Sequence, residues 1–337
     1  MTYNNDLTGS FVLSHNQRSD KSHSRIKISY TMSVKIMFLV NPAASSVTPR
    51  TQVVIQKALS ADHQVTLAET IRRDHATRLA REAAQNKYDL VVVLGGDGTS
   101  NEAANGVAGT STALAILPGG STNVFARTLG LPDDPVEATG ILLETIENGG
   151  PRRVGLGSAN GRYFLFHAGL GFDAAVVAEV EKRGRLKRYA SHALFVYAAI
   201  DTWLRRYDRR KPAFRIRHAD GTVIPNSKFG ICLNTNPYTY LGSRPLNLSP
   251  DATLDRGVVL ISINSLRLLH MLSLVSGALR GSTAFHKSSF VNYKADVEEF
   301  YVEGHRPFPY QLDGDYLGEV TRLHFEYAPN ILSLVVP

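Results

Sequence analysis

Val91-Val92-Val93-Leu94-Gly95-Gly96-Asp97-Gly98-Thr99 carries three glycines and one carboxylate at the end of an unbroken apolar run. A strand buried on both faces has this composition, and open parallel sheets bind ligands at the carboxyl ends of their strands. Glycines let backbone N–H groups come up against phosphate oxygens, and the helix N-terminus behind them favours negative charge. An aspartate in such a loop repels phosphate unless a cation lies between them, which makes Asp97 a candidate for the Mg²⁺ side of a nucleotide site. The same residues also suit a tight strand–helix turn in which the aspartate is a cap, and a lone glycine loop does not separate the two readings. A second loop, Leu117-Pro118-Gly119-Gly120-Ser121-Thr122-Asn123, ends the next apolar run about 22 residues on. Two such loops at neighbouring strand ends would form one phosphate-sized cleft, with Asn41-Pro42 at the end of the first strand as its third edge. No Gly-Lys-Ser/Thr occurs, so this is not a P-loop.

The elements that must position these loops follow from the spacing of apolar residues. Lys35–Val40, Gln64–Glu69, Asp89–Leu94 and Ala113–Leu117 read as strands. Helical spacing lies between them, up to about Leu59, over His75–Lys87, and from about Thr99 and Thr122. Strands alternating with helices predict a parallel sheet with crossovers. After about Gly150 the rhythm changes. Asn160-Gly161 and Asp220-Gly221 are hairpin signals, and Phe229–Asn234, Val258–Ile263, Val297–Val302 and Leu323–Tyr327 read as strands. Helices are expected over Asp173–Arg183 and Leu186–Tyr207, and a stripe in Leu266–Leu279 (Leu266, Leu269, Leu272 and Val275 or Ser276) reads first as a core helix, with a lipid-binding helix as the alternative. The expected fold class is an α/β nucleotide-binding domain with a Rossmann-like parallel sheet, followed by a second, β-rich domain.

Composition narrows the function classes. Hydrophobic residues are 43% and charged residues 20% of 337, enough for a packed core. The single Cys232 excludes an internal disulfide framework and a thiolate metal cluster, which fits a reducing cytoplasm. The 11 histidines show no ligand spacing, and His167 sits in an apolar run as a core histidine would. No apolar run is long enough to span a bilayer, because Val258–Leu279 is interrupted by Asn264, Arg267 and His270. The net charge is +7, yet Lys182–Arg217 alone holds 12 basic residues against Asp201 and Asp208. That concentration reads either as a solvated helix face or as a contact with an anionic membrane surface; it carries no nucleic-acid recognition motif. Residues 1–31 are polar and lack an apolar core segment, so a disordered tail is expected there, with Met32 as an alternative start.

Gly95–Thr99 followed by Pro118-Gly119-Gly120-Ser121-Thr122-Asn123-Val124-Phe125-Ala126-Arg127 resembles the diacylglycerol kinase catalytic-domain family, which includes bacterial diacylglycerol, sphingosine and ceramide kinases. The resemblance continues through Gly169–Ala174, Asn234–Tyr240 and Leu312-Asp313-Gly314-Asp315. It implies ATP-dependent phosphorylation of a lipid hydroxyl, diacylglycerol first among the candidates, with Mg²⁺. It further implies an ATP-binding domain over 34–150 completed by a returning segment 320–337, and a sandwich-like lipid-substrate domain over 151–319. Carried over by position, Asn41, Ser45, Thr70, Gly96, Asp97, Gly98, Thr99, Glu102 and Ser121 would contact ATP, Asp97 would face the metal, and Asp315 would be the general base. The partners so implied are a lipid alcohol and an anionic membrane surface met peripherally, without nucleic acid; the oligomeric state stays open.

Three departures stand out. Ser45 replaces a glycine, Val124 replaces the commoner aspartate, and Arg256 and Leu260 stand where many bacterial members carry acidic or polar residues of a structural Mg²⁺ site. That second metal site is therefore not expected, and Arg256 is a candidate to take the cation's place beside Asp255. Two other readings share parts of the pattern. One is an NAD kinase-like enzyme, which has the first glycine loop; the other is a non-catalytic nucleotide- or lipid-binding protein.

Overall fold

In the computed structural model, described for residues 33–182 and 192–337, the first half is the expected parallel sheet. The expected tail over 1–31 and the middle of the basic segment lie outside the described residues. β1 (Lys35–Val40), β2 (Gln64–Glu69), β3 (Leu90–Gly95) and β4 (Ala113–Pro118) pair in the order β2-β1-β3-β4, all parallel. β3 and β4 are buried throughout, because α1 (Pro49–Leu59) and α5 (Pro135–Asn148) pack together, as do α2 (His75–Gln85) and α3 (Asp97–Val107). Thr48 and Asp134 cap α1 and α5, each followed by proline at the first helical position.

The second half is antiparallel. β5 (Arg152–Ala159) and β6 (Arg162–Phe164) form the hairpin at Asn160-Gly161, both residues having positive φ (48° and 80°). β7 (His167–Gly171) leads into α6 (Phe172–Lys182). β8 (Phe214–His218) and β9 (Val223–Ser227) form the hairpin at Asp220-Gly221. β10 (Phe229–Leu233), β13 (Val258–Ile263) and β14 (Val291–Val297) extend the sheet from β7, and β11 (Thr239–Leu241) pairs with β12 (Arg244–Leu246). The two long strands β15 (Glu299–Leu312) and β16 (Asp315–Leu334) join the halves. β15 pairs with β7, and the far end of β16 reaches β4, where Leu334 pairs in parallel with Leu114 and Val335 N donates to Leu114 O at 2.9 Å. Among the described residues one sheet thus runs from the parallel half into the antiparallel half.

The structure corrects four expectations. Val297–Val302 is not one strand, since β14 ends at Val297 and β15 begins at Glu299, with Asp296 at φ 56° before the break. Leu323–Tyr327 is only the middle of the 20-residue β16. Arg256 does not neutralise Asp255: its guanidinium stands 4.0 Å from Asp251 and 3.7 Å from Asp296, whereas Asp255 faces Arg152 at 3.6 Å. In the fourth case, α8 (Leu268–Arg280, following α7, His192–Asp201) buries Leu274 and Ala278, while Leu268, Leu269, Leu272, Val275 and Leu279 face outward. The apolar stripe expected in the core lies one helical face away from it. No helix among the described residues is long and apolar enough to cross a membrane.

The β-rich half is packed around stacked phenylalanines: the fully buried Phe300 and Phe325 rings lie 4.5 Å apart and within 4° of parallel. Phe300→Ala is expected to destabilise the fold by about 3–5 kcal/mol, the usual effect of emptying a buried aromatic site. Urea unfolding measures it; a loss below about 1 kcal/mol would show that the layer collapses to fill the space.

Candidate active site

The carboxyl ends of the four parallel strands meet along one edge of the sheet. At the end of β1, Asn41 N donates to Leu94 O at 2.9 Å and Asn41 Nδ2 donates to Thr99 Oγ1 at 2.9 Å. The two glycine loops touch. Gly119 N donates to Gly95 O at 2.9 Å, and a methyl group on Gly120 would lie 2.8 Å from the Gly96 Cα. No side chain fits between them, which explains why both loops are built from glycine. Ser46 closes the third side, its N–H donating to Gly119 O (2.9 Å) and its hydroxyl to Gly120 O (3.1 Å).

Asp97 fastens this arrangement. Its two oxygens accept Val124 N at 3.0 Å and Phe125 N at 3.1 Å, the first turn of α4 (Val124–Thr128). Burial pushes its carboxyl above the ordinary value, while those two N–H groups pull the other way. Glu102, one turn along α3, accepts Asp74 N (2.9 Å) and Ala76 N (3.0 Å) and so caps α2. Asn123, in the left-handed region at φ 48°, closes the second loop by bonding Gly120 N and O.

Asp313-Gly314 is a two-residue hairpin turn between β15 and β16, with φ of 50° and 80° and Leu312 paired to Asp315. The turn, rather than an extended segment, sends the two carboxylates apart. Asp313 is buried and accepts Leu165 N (2.6 Å), Phe166 N (2.9 Å), His167 N (3.1 Å) and Asn101 Nδ2 (2.7 Å). Asp315 projects back over the first glycine loop: a methyl group on Gly98 would lie 3.0 Å from its Oδ2. Arg73, beyond the end of β2 and 56% exposed, places Nη2 3.4 Å from Asp315 Oδ1 and 3.5 Å from Glu181 Oε1.

Asn41, Gly96, Asp97, Gly98, Thr99 and Asp315 are therefore brought together. Thr70 is buried at the end of β2, where its N–H donates to Val40 O at 2.9 Å. Ser121 is exposed directly after the touching glycines. Ser45 is exposed as well, and its neighbour Ser46 makes the loop contacts. Sequence reasoning did not single out Ser46, Arg73 or Asn101. For Asn101 the signal is its place in Gly-Thr-Ser-Asn-Glu, one residue before Glu102; Arg73 and Asp315 are 242 residues apart and carry no local signal.

The diacylglycerol kinase catalytic domain family matches residues 35–159. A diacylglycerol kinase from Bacillus subtilis is 40% identical over 121 residues, which are 35% of this chain; the chain spans 39% of that relative's length. A diacylglycerol kinase from Staphylococcus carnosus is 27% identical over 274 residues, 79% of this chain and 83% of its own. Among solved structures, a diacylglycerol kinase from Bacillus anthracis superposes with a TM-score of 0.67 at 21% identity, covering 90% of this chain and 97% of that one. The two-part fold is thus that of a known class of structures.

Burial holds the Asp313 carboxyl up at about 7, although its four N–H donors favour the ionised form. A carboxyl raised in this way binds its proton more tightly in the folded chain. Its proton-linked contribution to stability is complete below about pH 4 and is lost as pH rises through about 7. Asp313→Asn turns an amide NH₂ towards N–H donors and is expected to cost about 1–3 kcal/mol. It should also flatten the change of stability between those two pH values relative to wild type. Urea midpoints at pH 4.5 and 7.5 read both effects, and midpoints equal to wild type at both would remove Asp313 from this role.

Proposed function

We propose, from the match of residues 35–159 to the diacylglycerol kinase catalytic domain family, that the chain is an ATP-dependent lipid kinase, with Asp315 as the base that deprotonates the acceptor hydroxyl. One observation carries the reading: the Asp315 carboxylate stands over Gly98 in a loop fit for phosphate. The triphosphate would lie along Gly96–Thr99 and Gly119–Ser121, with Asn41 and Thr99 as hydrogen-bonding neighbours and Thr70 at its edge. Glu102 and Asn123 would contribute by holding α2 and the second loop in place.

Mg²⁺ fits the residues present. Such an ion is bound chiefly by phosphate oxygens and waters with one or two carboxylates. Asp97 would reach it through water, because both of its oxygens already accept backbone N–H groups. Bound there, Mg²⁺ supplies charge neutralisation for the β- and γ-phosphates. The second, structural Mg²⁺ of related enzymes does not fit, since the Arg256 guanidinium already lies within 4.0 Å of Asp251 and Asp296.

In the transfer, Asp315 accepts the proton as the lipid oxygen bonds to the γ-phosphorus and the bond to the β–γ bridging oxygen breaks, releasing ADP. Arg73, shared between Asp315 and Glu181, would turn to the γ-phosphate. The acceptor we favour is diacylglycerol, and the enzyme would meet it at a membrane surface.

A labelled-ATP assay against diacylglycerol, a sphingoid base, ceramide and a polyprenol in mixed micelles, with NAD as control, tests the function. Labelled NAD without labelled lipid would overturn it. Asp315→Asn is expected to lower kcat by about 10² to 10⁴ with ATP binding little changed. Asp97→Asn is expected to abolish turnover and, by setting an NH₂ against Val124 N or Phe125 N, to cost about 1–3 kcal/mol of stability as well. An Asp315 variant with wild-type kcat would mean that a positioned base is not limiting.

A further inference from the structure

We propose that the cleft between residues 204–210 and 265–267, together with the outward leucine face of α8, docks the chain on an anionic phospholipid bilayer. The cleft holds about 720 Å³, and Arg205, Arg206, Arg209, Arg210, Lys228 and Arg267 line it against a single carboxylate, Asp208. Its two walls are tied together, because Trp203 Nε1 donates to Leu266 O at 2.9 Å while Arg209 lies over the Trp203 ring at 4.1 Å. Some of the charge is spent internally: Arg206 faces Asp201 (2.9 Å) and Glu179 (3.2 Å), and Asp208 faces Arg306 (3.2 Å). Arg210 and Arg267 form no ion pair among the described residues.

The apolar half of the surface begins at the next residue. Arg267 precedes α8, and Leu268, Leu272, Val275 and Leu279 follow at i, i+4, i+7 and i+11, one stripe of the helix. Leu269 beside them is 77% exposed. A basic cleft alone would attract any polyanion. A leucine stripe adjoining it gains nothing from nucleic acid, whereas it gains by entering the headgroup–acyl boundary of a bilayer while the arginines meet anionic headgroups. The two chemistries lie side by side, as such a surface requires. The docking stands on these contacts; its purpose, access to a bilayer-borne alcohol, rests on the lipid-kinase reading.

Co-sedimentation of the full chain with vesicles, without nucleotide, tests the docking. Binding is expected to phosphatidylcholine vesicles containing phosphatidylglycerol, weakening as salt rises, and to be far poorer with phosphatidylcholine alone. Leu269→Glu with Leu272→Glu should lower the affinity at least about tenfold with an unchanged urea midpoint, both sites being exposed. Arg210→Gln with Arg267→Gln should lower it about 30-fold at low salt and flatten the salt dependence. Turnover of a short-chain, monomeric diacylglycerol should be unchanged in all variants. Equal binding to the two vesicle types, or wild-type binding by either double variant, would overturn the docking. So would displacement by a phosphate-matched oligonucleotide that binds the leucine variant as well as wild type. Vesicle binding by a chain that phosphorylates no lipid would support the docking and remove the kinase reading instead.

Discussion

Asp313 is the interaction on which the rest of the structure depends. One buried carboxylate takes N–H donors from three consecutive residues, Leu165, Phe166 and His167, and from Asn101. These groups belong to the β6–β7 turn, the first residue of β7 and α3, and Asp313 itself belongs to the hairpin between β15 and β16. Leaving several such donors without an acceptor would cost far more than the net worth of the bonds, so the three elements are held in one geometry. α3 is also the helix that opens on the first glycine loop. Whatever aligns the Asp313 hairpin with α3 therefore aligns Asp315 with Gly98.

The carboxylates around the glycine loops obey the same logic. Asp97 and Glu102 look from sequence like groups waiting for a ligand. Each accepts two backbone N–H groups at the start of another helix, α4 and α2 respectively. Helix starts leave N–H groups unsatisfied, and buried ones must find partners. A cleft edged by helix N-termini and touching glycines leaves further N–H groups that need acceptors from behind. These two residues supply them.

How much of this could be read from the chain depends on how local each signal is. β1, β3 and β4 were legible because a strand covered on both faces is a continuous apolar run. β15 and β16 were only partly legible, since their exposed stretches carry polar residues and a break such as Val297/Glu299 leaves no turn motif. The Gly-Gly-Asp-Gly and Pro-Gly-Gly-Ser loops were legible as composition, and their contact through Gly96 and Gly120 was not. Asp315 could be placed only through resemblance to a family. Its neighbours Arg73 and Gly98 come from distant parts of the chain, and no periodicity encodes that meeting. The stripe on α8 was visible as a stripe, but periodicity gives a face without saying what covers it, and the core lies against Leu274 and Ala278 instead.

Arg256 is a cation that the chain itself supplies to two carboxylates. Asp251 lies 4.0 Å and Asp296 3.7 Å from its guanidinium, and Asp296 also takes Gly257 N at 2.8 Å. Carboxylates gathered around a common point repel unless a positive charge lies between them. A bound ion would supply that charge only at sufficient concentration, and its loss would free the strand end. A guanidinium on the neighbouring residue supplies it permanently, in a planar form suited to paired carboxylates. All three groups are about half exposed, so the pairing adds little to stability by itself. Its effect is to offset that repulsion beside the start of β13 with the chain's own charge.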